Sequence, residues 1–133
     1  MSKKNKFEGN IFSYCRVGKY EQLLCEGLRV VIYARNSCNA KQLEKQVRTI
    51  TDFCQNNDLE VVALQQEIGS GKRFFRFPLQ RAIRNKEAEA IVVSDVSRIS
   101  RKQNVSARFI SKIYKRNKFL ISAEYGDVIS FND

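Results

Sequence analysis

Short apolar runs recur along the chain, separated by stretches whose apolar residues return every three or four positions. Val30-Val31-Ile32-Tyr33-Ala34 is continuous rather than alternating, the pattern of a strand covered on both faces. Glu60 to Gln65, Ala90 to Val93 and Phe119 to Ala123 repeat the pattern, and Val128-Ile129-Ser130 offers a small fifth strand. Between the first two runs, Leu43, Val47, Ile50 and Cys54 form an i, i+4, i+7, i+11 stripe. That stripe predicts an amphipathic helix from Gln42 to the turn residues Asn56-Asn57-Asp58. Pro78 opens a short helix to about Asn85, with Leu79, Ala82 and Ile83 inward. Asn104 is expected to cap a third helix to about Lys118, with Val105, Phe109, Ile110, Ile113 and Tyr114 on its apolar side. The β-α-β-α-β-α-β order predicts an α/β fold: a mostly parallel sheet of four to five strands with helices on both faces.

The 133 residues suit one domain. Residues 1–28 carry the weakest pattern and read as an N-terminal extension that starts with a basic tail, Ser2 to Lys6. Within it, Ile11 to Gly18 echoes the stretch that ends at Ser37: Tyr14 matches Tyr33, Arg16 matches Arg35, and Gly18 stands where Ser37 does. This is either a degenerate copy of the first strand or a chance likeness of short apolar runs. Residues 29–124 form the domain proper, 125–133 a C-terminal tail, and no separate DNA-binding domain is expected.

Charge narrows the partner. Twenty-four Lys and Arg against fourteen Asp and Glu leave a formal +10, and a domain that basic meets a polyanion. No apolar run is long enough to span a membrane, and no secretory segment follows Met1, which leaves nucleic acid. The cations are clustered: six from Lys72 to Lys86 and eight from Arg98 to Lys118, with no acidic residue in either block. Solvated helix faces normally mix both signs, so these blocks read as a phosphodiester footprint, with Lys72, Arg73, Arg81, Arg84, Lys102, Arg108 and Lys112 as candidate DNA contacts. The four cysteines form no CxxC pair and there is no histidine. Zinc-ligand spacing, a secreted disulfide scaffold and Ser-His or Cys-His catalysis are thereby set aside, and a reducing cytoplasm is the expected setting.

Candidate chemistry lies at two strand ends. Arg35 and Ser37 close the first strand, where open α/β sheets place their ligand sites, and Arg98 and Arg101 follow the third. Were the two strands neighbours, three guanidiniums and one hydroxyl would converge. Guanidinium stays charged and offers forked donors that match phosphate oxygens, while a serine could attack phosphorus without a metal. Gly71-Lys72 is no phosphate loop, since Gln66 and Arg73 stand where a glycine and a Ser or Thr are required.

These motifs resemble, in order, those of the serine site-specific recombinases, the resolvase/invertase family, over about Arg29 to Glu124. Tyr33-Ala34-Arg35-Asn36-Ser37 resembles Y-x-R-x-S, whose serine is the nucleophile. Gln46 stands where the family has a glutamine on its first helix, and Glu67-Ile68-Gly69-Ser70-Gly71 resembles its acidic-x-x-S-G loop. Arg76-Phe77-Pro78-Leu79 resembles R-P-x-L with one residue shifted, and Ser97-Arg98-Ile99-Ser100-Arg101 resembles D-R-L-x-R. The resemblance implies a resolvase-like, flavodoxin-like catalytic domain. Ser37 would form a 5′-phosphoserine link, Arg35, Arg98 and Arg101 would hold the phosphate, and Arg76, Gln46 and Glu67 would support them. No cofactor, metal or ATP is implied. The partners are DNA and further copies of the chain, in a dimer or tetramer. Ser97 departs from the family, which has an aspartate there. Asp95 lies two residues earlier, about 6–7 Å away along an extended chain. The family's long helix and DNA-binding domain do not follow residue 124. A catalytically silent or truncated relative, acting as a DNA-binding or regulatory protein, is therefore the alternative reading.

Overall fold

The computed structural model describes residues 14–19, 27–36, 39–69, 77–100, 102–124 and 126–131. Six strands form one sheet: β1 (Tyr14–Lys19), β2 (Arg29–Asn36), β3 (Glu60–Ile68), β4 (Ala90–Val93), β5 (Phe119–Ser122) and β6 (Asp127–Phe131). Their spatial order is β1-β6-β5-β4-β2-β3. The four strands β3-β2-β4-β5 are parallel, β6 runs antiparallel to β5, and β1 runs antiparallel to β6. The connections between parallel strands carry α1 (Ala40–Asn56), α2 (Phe77–Arg84) and α3 (Gln103–Lys115), the last preceded by a 3₁₀ turn at Val96–Arg98. The α/β class and the mostly parallel sheet are those the pattern predicts. Among the described residues the sheet is one strand wider than the upper expectation, because Tyr14–Lys19 pairs with β6.

Side chains alternate across a strand, so the continuous run in β2 feeds both faces of the sheet. Val30, Ile32 and Ala34 pack with Leu43, Ile50 and Cys54 of α1. Val31 and Tyr33 pack on the other face with Leu79, Ala82 and Ile83 of α2 and Ile110 and Ile113 of α3. β4, the centre of the sheet, is buried throughout. β3 lies at an edge and exposes Val61, Leu64 and Ile68. No helix of the described residues is long and apolar enough to cross a membrane.

Several element ends differ from the sequence expectation. β3 continues through Gln66, Glu67 and Ile68, which pair with Ala34, Arg35 and Asn36, so Glu67 stands on a strand and not in a loop. α3 starts one residue before Asn104, whose side chain accepts only from the adjacent Val105 N–H and is not the cap. Ser100 organises that start instead, accepting from Lys102 N through Oγ and from Ser106 Oγ through its carbonyl. α3 stops at Lys115 because Asn117 turns left-handed (φ 59°), a conformation asparagine tolerates. The start of α1 is capped by Asn39, whose Oδ1 accepts from Lys41 N and Gln42 N.

Candidate active site

β2 and β4 are parallel neighbours, so their last residues lie side by side at the carboxyl edge of the sheet. Arg35, the penultimate residue of β2, is only 3% exposed. Its Nε donates to the Arg98 carbonyl at 2.7 Å, Nη1 to the Gly69 carbonyl at 2.7 Å and Nη2 to the Ser97 carbonyl at 3.1 Å. Burying a charged group costs several kcal/mol unless donors are met, and three carbonyl oxygens meet them here. The guanidinium thereby ties the end of β2 to the loop after β3 and to the turn after β4.

The opposite side of the same residue is held by α1. Gln46, buried on the helix, accepts from Arg35 N through Oε1 and donates to Arg35 O through Nε2, both at 3.2 Å. The amide behaves as one more strand partner, and this two-way pairing sets its orientation. Asn36 continues the network, donating to Gln42 Oε1 and accepting from Asn39 N at the helix start. Glu67, opposite Arg35 in the β2–β3 register, accepts from the buried Tyr33 hydroxyl at 3.1 Å.

Arg98 sits in the 3₁₀ turn after β4, half-buried, with Nη1 3.5 Å from the Arg35 carbonyl oxygen. Ser97 beside it donates through Oγ to Asp95 Oδ2 at 3.2 Å. The expected 6–7 Å offset between positions 95 and 97 does not hold, because the chain coils at Val96–Arg98 and brings the two side chains together. Arg98 lines a cleft of about 520 Å³ with Asn36, Gln42, Lys45, Gln46, Ser94 and Glu124. Two cations facing amide and hydroxyl donors suit a phosphate group.

Lys45, Gln42, Asn36 and Ser94 were not singled out by sequence reasoning. A signal was present for the helix: Gln42, Lys45, Gln46 and Thr49 recur at i, i+3, i+4, i+7, a polar stripe beside the apolar one, and all four line the cleft. Of the predicted catalytic set, Arg35, Gln46, Glu67 and Arg98 come together at this edge. Ser37, Arg76 and Arg101 lie outside the described residues, as do Lys72 and Arg73 of the DNA-contact set. Arg81, Arg84, Lys102, Arg108 and Lys112 are exposed on α2 and α3 or at their ends. Among the described residues no group of three His, Cys, Asp or Glu is placed to hold a metal ion.

Three solved structures share this arrangement of elements. The N-terminal catalytic domain of TP901-1 integrase matches with a TM-score of 0.64 and 22% identity, over 74% of this chain and 78% of that one. A resolvase family site-specific recombinase from Streptococcus pneumoniae matches with a TM-score of 0.64 and 22% identity, over 75% of each chain. The C-terminal catalytic domain of IS1535 TnpA, an IS607-like serine recombinase, matches with a TM-score of 0.59 and 28% identity, over 71% of this chain and 70% of that one. Comparison with curated proteins returns no match. The family model described as "Resolvase, N terminal domain" matches residues 30–131, from β2 through β6, and the chain therefore belongs to the resolvase N-terminal domain family.

Proposed function

We propose that this protein cuts and rejoins DNA strands in site-specific recombination through a covalent intermediate on Ser37. The observation that carries the reading is the convergence of Arg35, Gln46 and Arg98 at the end of β2, the strand that leads directly into Ser37. In this reading the Ser37 hydroxyl attacks phosphorus and an Oγ–P bond forms. The P–O3′ bond breaks, and the serine proton ends on the released 3′-oxygen. One phosphodiester replaces another, so rejoining requires no ATP. Arg98, with Lys45 in the same cleft, and Arg101 would offset the charge that builds on the equatorial oxygens. Arg35 acts as a positioning residue, since its donors serve the carbonyls that hold the Arg98 turn. Gln46 sets the backbone from which Ser37 departs, and Arg76 and Glu67 are supporting members. Asp95, which accepts from Ser97 Oγ, would supply a carboxylate in place of the family aspartate. The active form is a homo-oligomer, dimer or tetramer, in a cytoplasmic setting where DNA is the substrate.

The test is to incubate the protein with supercoiled DNA, quench with detergent and look for protein joined to DNA. An adduct that maps by mass spectrometry to the Ser37 peptide, and is lost in Ser37→Ala, is the expected result. An adduct on Ser97, or one that survives Ser37→Ala, would overturn the assignment. A second reading, a silent DNA-binding or regulatory relative, draws on Ser97 standing where the family has aspartate. It gains if no adduct forms in the folded wild type or in Ser97→Asp. It loses if wild type reacts and Asp95→Asn does not.

A further inference from the structure

We propose that the groove between the C-terminal ends of α2 and α3 is a second phosphate-binding surface, one that holds DNA outside the cleavage centre. The proposal rests on the reading of DNA as the substrate and adds a site to it. Helices in the parallel part of the sheet run against the strands, so the last turns of α2 and α3 lie at the amino edge, away from Arg35 and Arg98. α3, with 13 residues, alone spans about 20 Å between the two edges. The groove has a volume of about 340 Å³ and is lined by Gln80, Ile83, Arg84, Lys112, Lys115 and Arg116. Four of these six residues are cationic, none is acidic, and the buried Ile83 forms an apolar base.

Cations in a last helical turn also complement the helix dipole, which is the simpler account of Arg84, Lys112 and Lys115. The magnitudes decide against it as a full account. Two helix ends present roughly half a negative charge each, about one in all, against four positive side chains, so about three remain uncompensated. α1 shows the other arrangement: its Glu44 pairs with Arg48 one turn on. No carboxylate of the described residues is paired with Arg84, Lys112, Lys115 or Arg116.

The groove is also built. Buried Lys118, just past α3, donates through Nζ to the carbonyls of Asn85 and Ala88 in the segment after α2, and so staples the two helix ends together. Lys112 is steadied with its Nζ 5.3 Å from the centre of the Phe109 ring. Walls fixed from below, with exposed cations above, suit the backbone phosphates of a duplex irrespective of its sequence.

Fluorescence anisotropy with a 20-base-pair duplex of arbitrary sequence, titrated with salt, tests this. In Lys115→Gln/Arg116→Gln two phosphate contacts are removed. The slope of log K against log salt should become shallower by about 1.8, with affinity at low salt falling about tenfold or more. Lys112→Glu/Lys115→Glu should lose more, and if it fails to fold, the glutamine pair decides. Adduct formation at saturating DNA should persist in the glutamine pair, since the cleft is untouched. Loss of adduct in every protein, with the slope change intact, would sink the cleavage reading and leave this one standing. An unchanged slope in the glutamine pair overturns the second surface. So does a loss of binding confined to phosphatidylserine vesicles, which would assign the groove to a membrane surface.

Discussion

At the carboxyl edge of the sheet the key cation is buried and spoken for; at the amino edge the cations stand in solvent around a buried staple. Arg35 directs Nε, Nη1 and Nη2 at three backbone carbonyls from two segments, so its charge organises loops before any ligand arrives. Arg84, Lys112, Lys115 and Arg116 line an open groove, and there Lys118 below does the organising. The two edges divide the same labour differently. A site that must place reacting atoms needs its geometry set by buried hydrogen bonds, because small misplacements cost rate. A surface that gathers phosphates needs charge and reach, and flexible lysines provide both.

The largest expected effect comes from separating the two arginines at the carboxyl edge. Arg98→Ala should lower adduct formation by about 10²–10³-fold, the usual cost of one charge-stabilising donor. It should leave unfolding free energy within about 1 kcal/mol, as for a residue outside the packed core. Arg35→Met should lose adduct formation as well, and in addition about 3 kcal/mol or more of stability in urea titration, because buried carbonyls are left without donors. Equal stability of the two variants would erase the distinction between a positioning and a phosphate-facing arginine.

An intermediate effect is expected at the amino edge. Lys118→Met removes the donor to Asn85 O and Ala88 O and should cost about 1–3 kcal/mol. The rate of adduct formation at saturating DNA should stay within twofold, since the cleavage centre lies at the other edge. Burial, and secondarily the nearby Arg116, hold the Lys118 ammonium below the usual lysine range. The folded state therefore binds this proton less firmly than the unfolded chain. The penalty is present at neutral pH and is relieved as pH rises from the lowered value toward 10.5. A pH titration of stability should rise across that window in wild type relative to Lys118→Met.

The smallest effect belongs to Cys54, buried under α1. Desolvation pushes its thiol up from 9.0 to about 12. Its contribution to stability is complete below pH 9.0 and is lost as pH rises toward 12, by at most about 1.4 kcal/mol per pH unit. Cys54→Ala should flatten that decline. Iodoacetamide should label Cys54 only when the protein unfolds. Rapid labelling of the native protein would mean that α1 opens away from the sheet, and with it the Gln46 clamp.

The strands and helices were largely legible in the sequence. Continuous apolar runs mark β2, β4 and β5 because both faces of a parallel sheet are covered, and the 43, 47, 50, 54 stripe marks α1 because one helix face is buried. The end of β3 was not legible, and the edge strand β1 was legible only as one of two readings of Ile11 to Gly18. β3 reaches Ile68 only because β2 offers partners through Asn36, and Tyr14 pairs with Phe131 at the far end of the chain. Asn104 has the chemistry of a cap, but α3 starts before it, where Ser100 meets Lys102 and Ser106 through contacts no propensity scale encodes.

For the site, the amino-acid order alone determined which residue types were at hand: Arg35 and Ser37 after one strand, Arg98 and Arg101 after another, and unmixed basic blocks downstream. Their alignment with the motifs of a family pointed to a chemistry. The tertiary structure alone decided what each group does with its donors. Arg35 meets carbonyls 34, 62 and 63 positions away, and Gln46 pairs with the backbone of Arg35. Ser97 meets Asp95 because the chain coils there. Residue identity sets how many hydrogen bonds a side chain can make, but which partners lie within about 3 Å is set by how distant segments pack.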